Sequence, residues 1–181
     1  MKIIQRILLV LSAFVVLIAG IGLFIPSKFQ VSRSVTIQAP AANIYPLISN
    51  FKSGWTLWNT FDDTDPNIQY AYEGPETGPG SVQSWKSTKM GDGRMTMTQA
   101  DPEKGVEIGL EMGTFKLSGN LTMEKQGKLT KLTWTDYCDL GKNPFKKVMK
   151  PVISMMIGKA FDSSLENIKK LAESIDETEV D

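Results

Sequence analysis

The sequence predicts an α+β fold: a curved antiparallel sheet of about seven strands wrapped on one long C-terminal helix, preceded by an N-terminal transmembrane helix. Three observations carry this expectation. Residues Ile7 to Ile25 contain no charge. From Phe29 to Cys138, apolar and polar residues alternate in runs separated by turns rich in Gly, Pro and Asp. From Pro144 to Ile175, apolar residues return at helical spacing. Period 2 marks half-buried strands, and period 3.6 marks an amphipathic helix.

The apolar run Ile7 to Ile25, at about 1.5 Å of rise per residue, spans roughly the 30 Å hydrocarbon core of a bilayer. Lys2 and Arg6 precede it, which favours a cytoplasmic N-terminus and an extracytoplasmic domain. The expected organisation is an anchor over 1–28, a domain over 29–175 and a loose tail over 176–181. Two alternatives stay open: a cleaved signal peptide with cleavage near Ala19 to Gly22, and a buried core helix. No Ala-x-Ala triplet marks a cleavage site.

The elements follow in order. Phe29, Val31, Val35 and Ile37 share one face of a first strand. Ala41 to Ile48 reads as a short helix strained by Pro46, and Phe51 to Phe61 as a compact aromatic segment. Strands follow over Ile68 to Glu73, Ser81 to Lys89 and Arg94 to Ala100, the last with Met95, Met97 and Gln99 on one face. Val106 to Met112 and Phe115 to Met123 alternate cleanly. Leu132, Trp134, Asp136 and Cys138 share one face of the last strand. Short connections make these neighbours antiparallel. Pro151 predicts a kink or a fresh start near Lys150. One rod cannot fill a strongly curved sheet everywhere, so a cavity is expected between them.

Composition excludes several classes of function. Lys and Arg total 20, as do Asp and Glu, so the basic excess of a nucleic-acid binder is missing. Lys2 and Arg6 account for two of the basic residues, which leaves the rest slightly acidic and unlike a polybasic headgroup binder. There is no histidine, which removes Ser-His-Asp and Cys-His nucleophiles, His-ligated zinc and imidazole acid/base chemistry. Cys138 is the single cysteine and has no histidine to activate it. Gly74, Gly78 and Gly80 lack the Lys-Ser/Thr of a phosphate loop. Asp62, Asp63 and Asp65 lack the spacing of an EF-hand and read as a solvated turn. No cofactor, metal site or catalytic residue is expected.

The candidate ligand-binding residues are those on the predicted inner face: Trp85, Met97, Leu110, Phe115, Leu117, Trp134, Asp136 and Met156. The same residues suit plain core packing, though some must line any cavity that exists. Arg33, Gln99 and Asp136 are polar residues in phase with apolar neighbours, so each would need a buried partner or an outlet to solvent. Trp55 and Trp58 fit three roles: packing, a gate at a cavity mouth, or contact with the bilayer surface.

Several segments together resemble the polyketide cyclase/dehydrase (SRPBCC) branch of the START-like superfamily, the helix-grip fold. They are VSRSVTIQAPAANIYPLI at 31–48, WTLWNTFDDTDP at 55–66, YEGPETGPGSVQSW at 72–85, LTWTDY at 132–137 and GKAFDSSLENIKKLAE at 158–173. The likeness runs in order through 29–175. Asn59-Thr60 departs from the Ser-Pro that members often carry there. The resemblance implies a helix-grip domain that holds a small hydrophobic or amphipathic, lipid-like molecule. Fold likeness does not fix activity. A cyclase or dehydratase using Asp136, Tyr137 or Arg33, and a ligand-free protein-interaction module, remain the alternatives.

Overall fold

The computed structural model describes residues 2–60, 63–113 and 115–176. Helix α1 (Lys2–Phe24) is followed by strand β1 (Lys28–Ile37), helix α2 (Ala41–Ser49), a π-helical turn (Phe51–Trp55) and the single helical turn α3 (Thr56–Trp58). Six strands come next: β2 (Gln69–Glu73), β3 (Val82–Lys86), β4 (Gly93–Asp101), β5 (Gly105–Met112), β6 (Phe115–Gln126) and β7 (Leu129–Asp139). The chain then enters α4 (Pro144–Val148) and the long α5 (Lys150–Asp176). Pro151 sits in the first turn of α5, where its missing N–H costs no helical hydrogen bond.

The seven strands form one sheet in the order β1-β7-β6-β5-β4-β3-β2, with every neighbour antiparallel. β2 to β7 form a meander of successive neighbours. β1 joins last, pairing with β7 from Lys28↔Asp139 to Ile37↔Thr130. The pairing registers define rows across the inner face. Leu117, Leu110, Met95, Gln83 and Tyr72 are successive partners in one row. Val31, Asp136, Gly119, Ile108 and Met97 form the next, and Arg33, Trp134, Leu121 and Val106 the third.

Helix α5 lies on that face along β1 and β7. It buries Gly158, Phe161, Ser164, Leu165, Ile168 and Ala172, a stripe at helical spacing. Polar ties fix its edge to β1: Lys169 Nζ donates to Thr36 O at 2.9 Å, and Glu173 Oε1 accepts from Gln38 N at 2.7 Å. Arg33 crosses the face of Gly158 to pair with Asp162, its Nε 3.2 Å from Oδ1. A side chain at 158 would occupy the guanidinium's place.

Trp55 and Trp58 are wholly buried core residues, neither at a cavity mouth nor at a surface. Asn50 makes this possible: its Oδ1 accepts from Lys52 N and Ser53 N and starts the π-helical turn. The turn points both indoles inward, where they donate to Ile48 O and Leu47 O at 2.7 and 2.8 Å.

Two expectations are corrected, one of strand phase and one of exposure in a turn. A β-bulge between Met97 and Gln99 shifts the register of β4 on β5, so Gln99 turns outward and is exposed. Asp65, read as part of a solvated turn, is buried and accepts from Ser87 Oγ at 2.6 Å and from the backbone of Asn67 and Lys89. These bonds, the Ser87 hydroxyl first, hold its carboxyl below the ordinary range. Asp63 is exposed; Phe61, Asp62 and the tail from 177 on lie outside the described residues.

Gly105 opens β5 with φ at +111°, and a Cβ there would run into the carbonyl of Leu121. Gly127, at φ +66°, has nothing near its would-be Cβ. Gly105→Ala is therefore expected to lose more stability than Gly127→Ala in thermal unfolding. The backbone conformation alone accounts for roughly 1–3 kcal/mol, and the backbone overlap adds to it. Equal losses would show that β6 yields at Leu121.

Candidate functional site

Helix α5 lies mainly against β1 and β7, while α2 packs on β5 and β6 and the π-helical turn on β3. A cavity of about 50 Å³ remains against β2–β5. It is lined by Asn59, Ile68, Tyr70, Gln83, Trp85, Met90, Met95, Leu110 and Met112. Trp85 is held edge-on by its Nε1 donating to Gly91 O at 3.1 Å and lies flush on Gly93, where a Cβ would strike its ring. Ligand pockets for drug-sized molecules usually measure about 300–1,000 Å³. This one is closed down, and its three methionines are unbranched side chains that can swing aside.

Three polar residues interrupt the apolar lining: Asn59, whose Nδ2 donates to Tyr70 Oη at 3.4 Å, Tyr70 itself, and Gln83. Gln83 is 1% exposed, and its Oε1 has no hydrogen-bond partner. A buried acceptor without a donor costs about 1–3 kcal/mol. The atom lacks a donor, and it belongs to a residue that lines the cavity. Sequence reading passed over Gln83 because a polar residue in a run of VQSWK looks like the solvent side of a strand. Its inward parity, shared with Trp85, was the available signal.

The eight candidate residues are not brought together. Trp85 and Leu110 line the cavity. Met97 is fully buried in the core. Trp134 is core as well: Phe161 stacks on it with centroids 4.0 Å apart at 12°, and Trp55 and Trp58 meet it edge-on at 5.8 and 5.6 Å. Leu117 is half-buried at the margin of a larger hollow of about 680 Å³, shared with Lys28, Lys116, Tyr137 and Asp139. That hollow is an open depression at the ends of β1, β6 and β7, with charged rims.

Phe115 and Met156 were expected inside and lie outside. Phe115 is 41% exposed because it opens β6 beside the β5–β6 hairpin, beyond the cover of α5, with Lys146 Nζ 4.1 Å from its ring centroid. Met156 is 66% exposed. Five residues before Phe161, it stands about 140° around the helix from the stripe that meets the sheet. Ala160 is half-buried.

Asp136 is buried on the inner face and accepts from Trp134 Nε1 at 3.0 Å. Gly119, its partner on β6, leaves the space that Asp136 Oδ1 occupies. Burial raises its carboxyl from 3.8 to about 6, opposed by the indole hydrogen bond. Burial, and then the neighbouring Asp136, push the Cys138 thiol up to about 11, so it stays protonated and unreactive at neutral pH. Among the described residues no cluster of acidic or Cys side chains could hold a metal ion.

A curved seven-stranded sheet gripping a C-terminal helix, with a cavity against β2–β5, defines a START-like helix-grip domain. Residues 28–173 match the family described as polyketide cyclase / dehydrase and lipid transport, and the chain belongs to that family. Solved structures share the fold at low identity. The KanY protein, known from its NMR solution structure, is 18% identical with a TM-score of 0.62, covering 81% of this chain and 98% of its own. Norcoclaurine synthase from Thalictrum flavum is 14% identical with a TM-score of 0.60, covering 82% and 96%. The Bacillus halodurans protein BH1534 is 12% identical with a TM-score of 0.59, covering 81% and 99%. No curated protein sequence matches the chain.

Proposed function

We propose that this protein is a membrane-anchored domain that binds a small hydrophobic or amphipathic ligand in the cavity between Gln83 and Leu110, without catalysis. The observation that carries the reading is the cavity wall: mostly apolar, with Asn59, Tyr70 and Gln83 as its polar residues, and with Gln83 Oε1 the one buried side-chain acceptor left without a partner among the described residues. Such a site favours a mostly apolar molecule carrying one hydroxyl or N–H donor. Membership of a family whose description includes lipid transport supports this reading.

The anchor is α1. Ile3–Phe24 is long and apolar enough to cross a bilayer, a test that a signal sequence also passes. Its side chains are almost all exposed, which weighs against the core-helix alternative and supports the reading of an anchor. On this reading residues 1–28 anchor the domain 29–175, and Lys2 and Arg6 hold the N-terminus in the cytoplasm. Carbonate extraction should leave the protein in the membrane. A mature N-terminus near residue 20 would instead show a cleaved signal.

Binding is tested on the full chain in nanodiscs with 1-anilinonaphthalene-8-sulfonate as probe, after subtraction of empty discs. One probe per chain is expected, displaced about tenfold better by dodecanol than by dodecane, the worth of one hydrogen bond. Gln83→Leu should erase that preference. Leu110→Asp should abolish binding, because an unpaired charge in an apolar pocket costs several kcal/mol. A probe that binds Leu110→Asp equally well sits elsewhere and sinks the site.

A second reading, acid/base catalysis on a carbonyl substrate, draws on Asp136, whose carboxyl burial pushes up to about 6. Its place tells against it. Asp136 lies one row from the cavity lining, beneath Trp134, and it does not line the hollow around Gln83. Turnover of a polyketide-like substrate that disappears in Asp136→Asn would reverse this preference.

A further inference from the structure

We propose that α4 and the first two turns of α5 form a membrane-docking surface that lies in the headgroup region of an anionic bilayer beside α1. The proposal rests on the reading of α1 as a membrane span. It starts from an anomaly of α5. From Lys159 onward the helix follows the usual pattern, with Asp162, Glu166 and Lys170 facing solvent. Before Lys159 the solvent side is apolar: Met149 just ahead of the helix is 49% exposed, Val152 42%, Met155 66% and Met156 66%. Met149, Val152 and Met156 stand on the side of the axis opposite Phe161, so the sheet cannot cover them. Phe145 of α4 adds a ring that is 46% exposed.

The position of this patch identifies its occupant. α4 packs against α1, with Gly22 buried so closely on Pro144 that a Cβ at 22 would overlap its carbonyl. Gly22 lies two residues, or about 3 Å of helix rise, before the end of α1 at Phe24. If α1 spans the bilayer, α4 is held at the boundary between acyl chains and headgroups. Charge agrees. The segment 140–161 carries Lys142, Lys146, Lys147, Lys150 and Lys159 and no acidic residue, although the chain as a whole is neutral. Exposed apolar residues ringed by lysines are what an interfacial helix presents to anionic lipid, with apolar side chains about 5–10 Å into the boundary.

The test uses full-length protein reconstituted into vesicles of three parts phosphatidylcholine to one part phosphatidylglycerol. In a Cys138→Ser background, nitroxide labels are placed by Val15→Cys, Val152→Cys, Met156→Cys and Lys128→Cys. Lys128 lies in the β6–β7 turn, at the far end of β7 from α4. Labels at 152 and 156 are expected to lose most of their collisions with a water-soluble nickel chelate and to gain collisions with oxygen, while 128 stays aqueous. Lys142→Glu combined with Lys147→Glu should return the label at 156 to water without moving the label at 15. Aqueous labels at 152 and 156 with 15 in the bilayer would overturn the docking proposal and leave the anchor standing. An aqueous label at 15 would overturn both. Spin–spin broadening at 156 that vanishes on dilution with unlabelled chain would show that a second copy covers the patch, and would overturn lipid as the occupant.

Discussion

Phe161→Ala is expected to destabilise the domain by about 3–5 kcal/mol, the range for removing a buried aromatic ring from a packed core. Phe161 is 3% exposed and stacks flat on Trp134. Trp134 is in turn braced by Trp55 and Trp58, whose N–H groups are tied to the end of α2. The ring is thus the point at which α5, the sheet and the helical turns after α2 meet, and none of the three can collapse into the space it leaves without moving the others. Urea unfolding in mild detergent, followed by tryptophan fluorescence, measures the loss. Met156→Ala, on the outer side of the same helix, should stay within about 0.5 kcal/mol. A loss below about 1 kcal/mol for Phe161→Ala would show that the polar ties to β1, not this stack, hold the helix.

Asp136→Asn is expected to stabilise the protein at pH 8 by up to about 3 kcal/mol and to leave it unchanged near pH 4. The sign follows from linkage. Burial raises the folded carboxyl from 3.8 to about 6, so between those values the folded state binds more protons than the unfolded state. Stability from this group is complete below 3.8 and is lost as pH rises through 6. A shift of about two units corresponds to roughly 3 kcal/mol. Asparagine keeps an oxygen for the Trp134 N–H and carries no charge to bury. The wild type should therefore lose stability between pH 4 and pH 7 through this site, and the variant should not. Identical pH profiles would mean that the carboxylate is solvated in the folded state.

Asp136 also shows how far sequence reading reached toward the site. Its phase with Leu132 and Trp134 placed it indoors, and indoors is where it lies. Phase could not say that Gly119, on the next strand, had cleared room for its carboxyl, or that its hydrogen-bond partner was Trp134 two residues back rather than a ligand. Gln83 is the converse. Its parity was legible, but an orphaned acceptor becomes visible only when every neighbour is in place.

Local pattern was enough to place the main elements and most of their faces, with Gln99, Phe115 and Met156 as exceptions. Alternation of apolar residues gave seven strands, Pro151 marked the start of the long helix, and the charge-free run marked α1. These are local properties, set by side-chain direction every two residues in a strand and every 3.6 in a helix. What each face met was set by packing between distant segments. That packing seated α5 over β1 and β7, packed α2 on β5 and β6, and left a small cavity against β2–β5, which divided Trp85 and Leu110 from Trp134 and Met97. It turned the stripe that includes Phe161 inward and put Met149, Val152 and Met156 outside, although all are apolar and helical in spacing. A helix has room for only one contact stripe on a sheet. Which of two apolar sides becomes that stripe depends on the packing of Trp134 against Phe161, partners 27 residues apart in sequence and 4.0 Å apart in space.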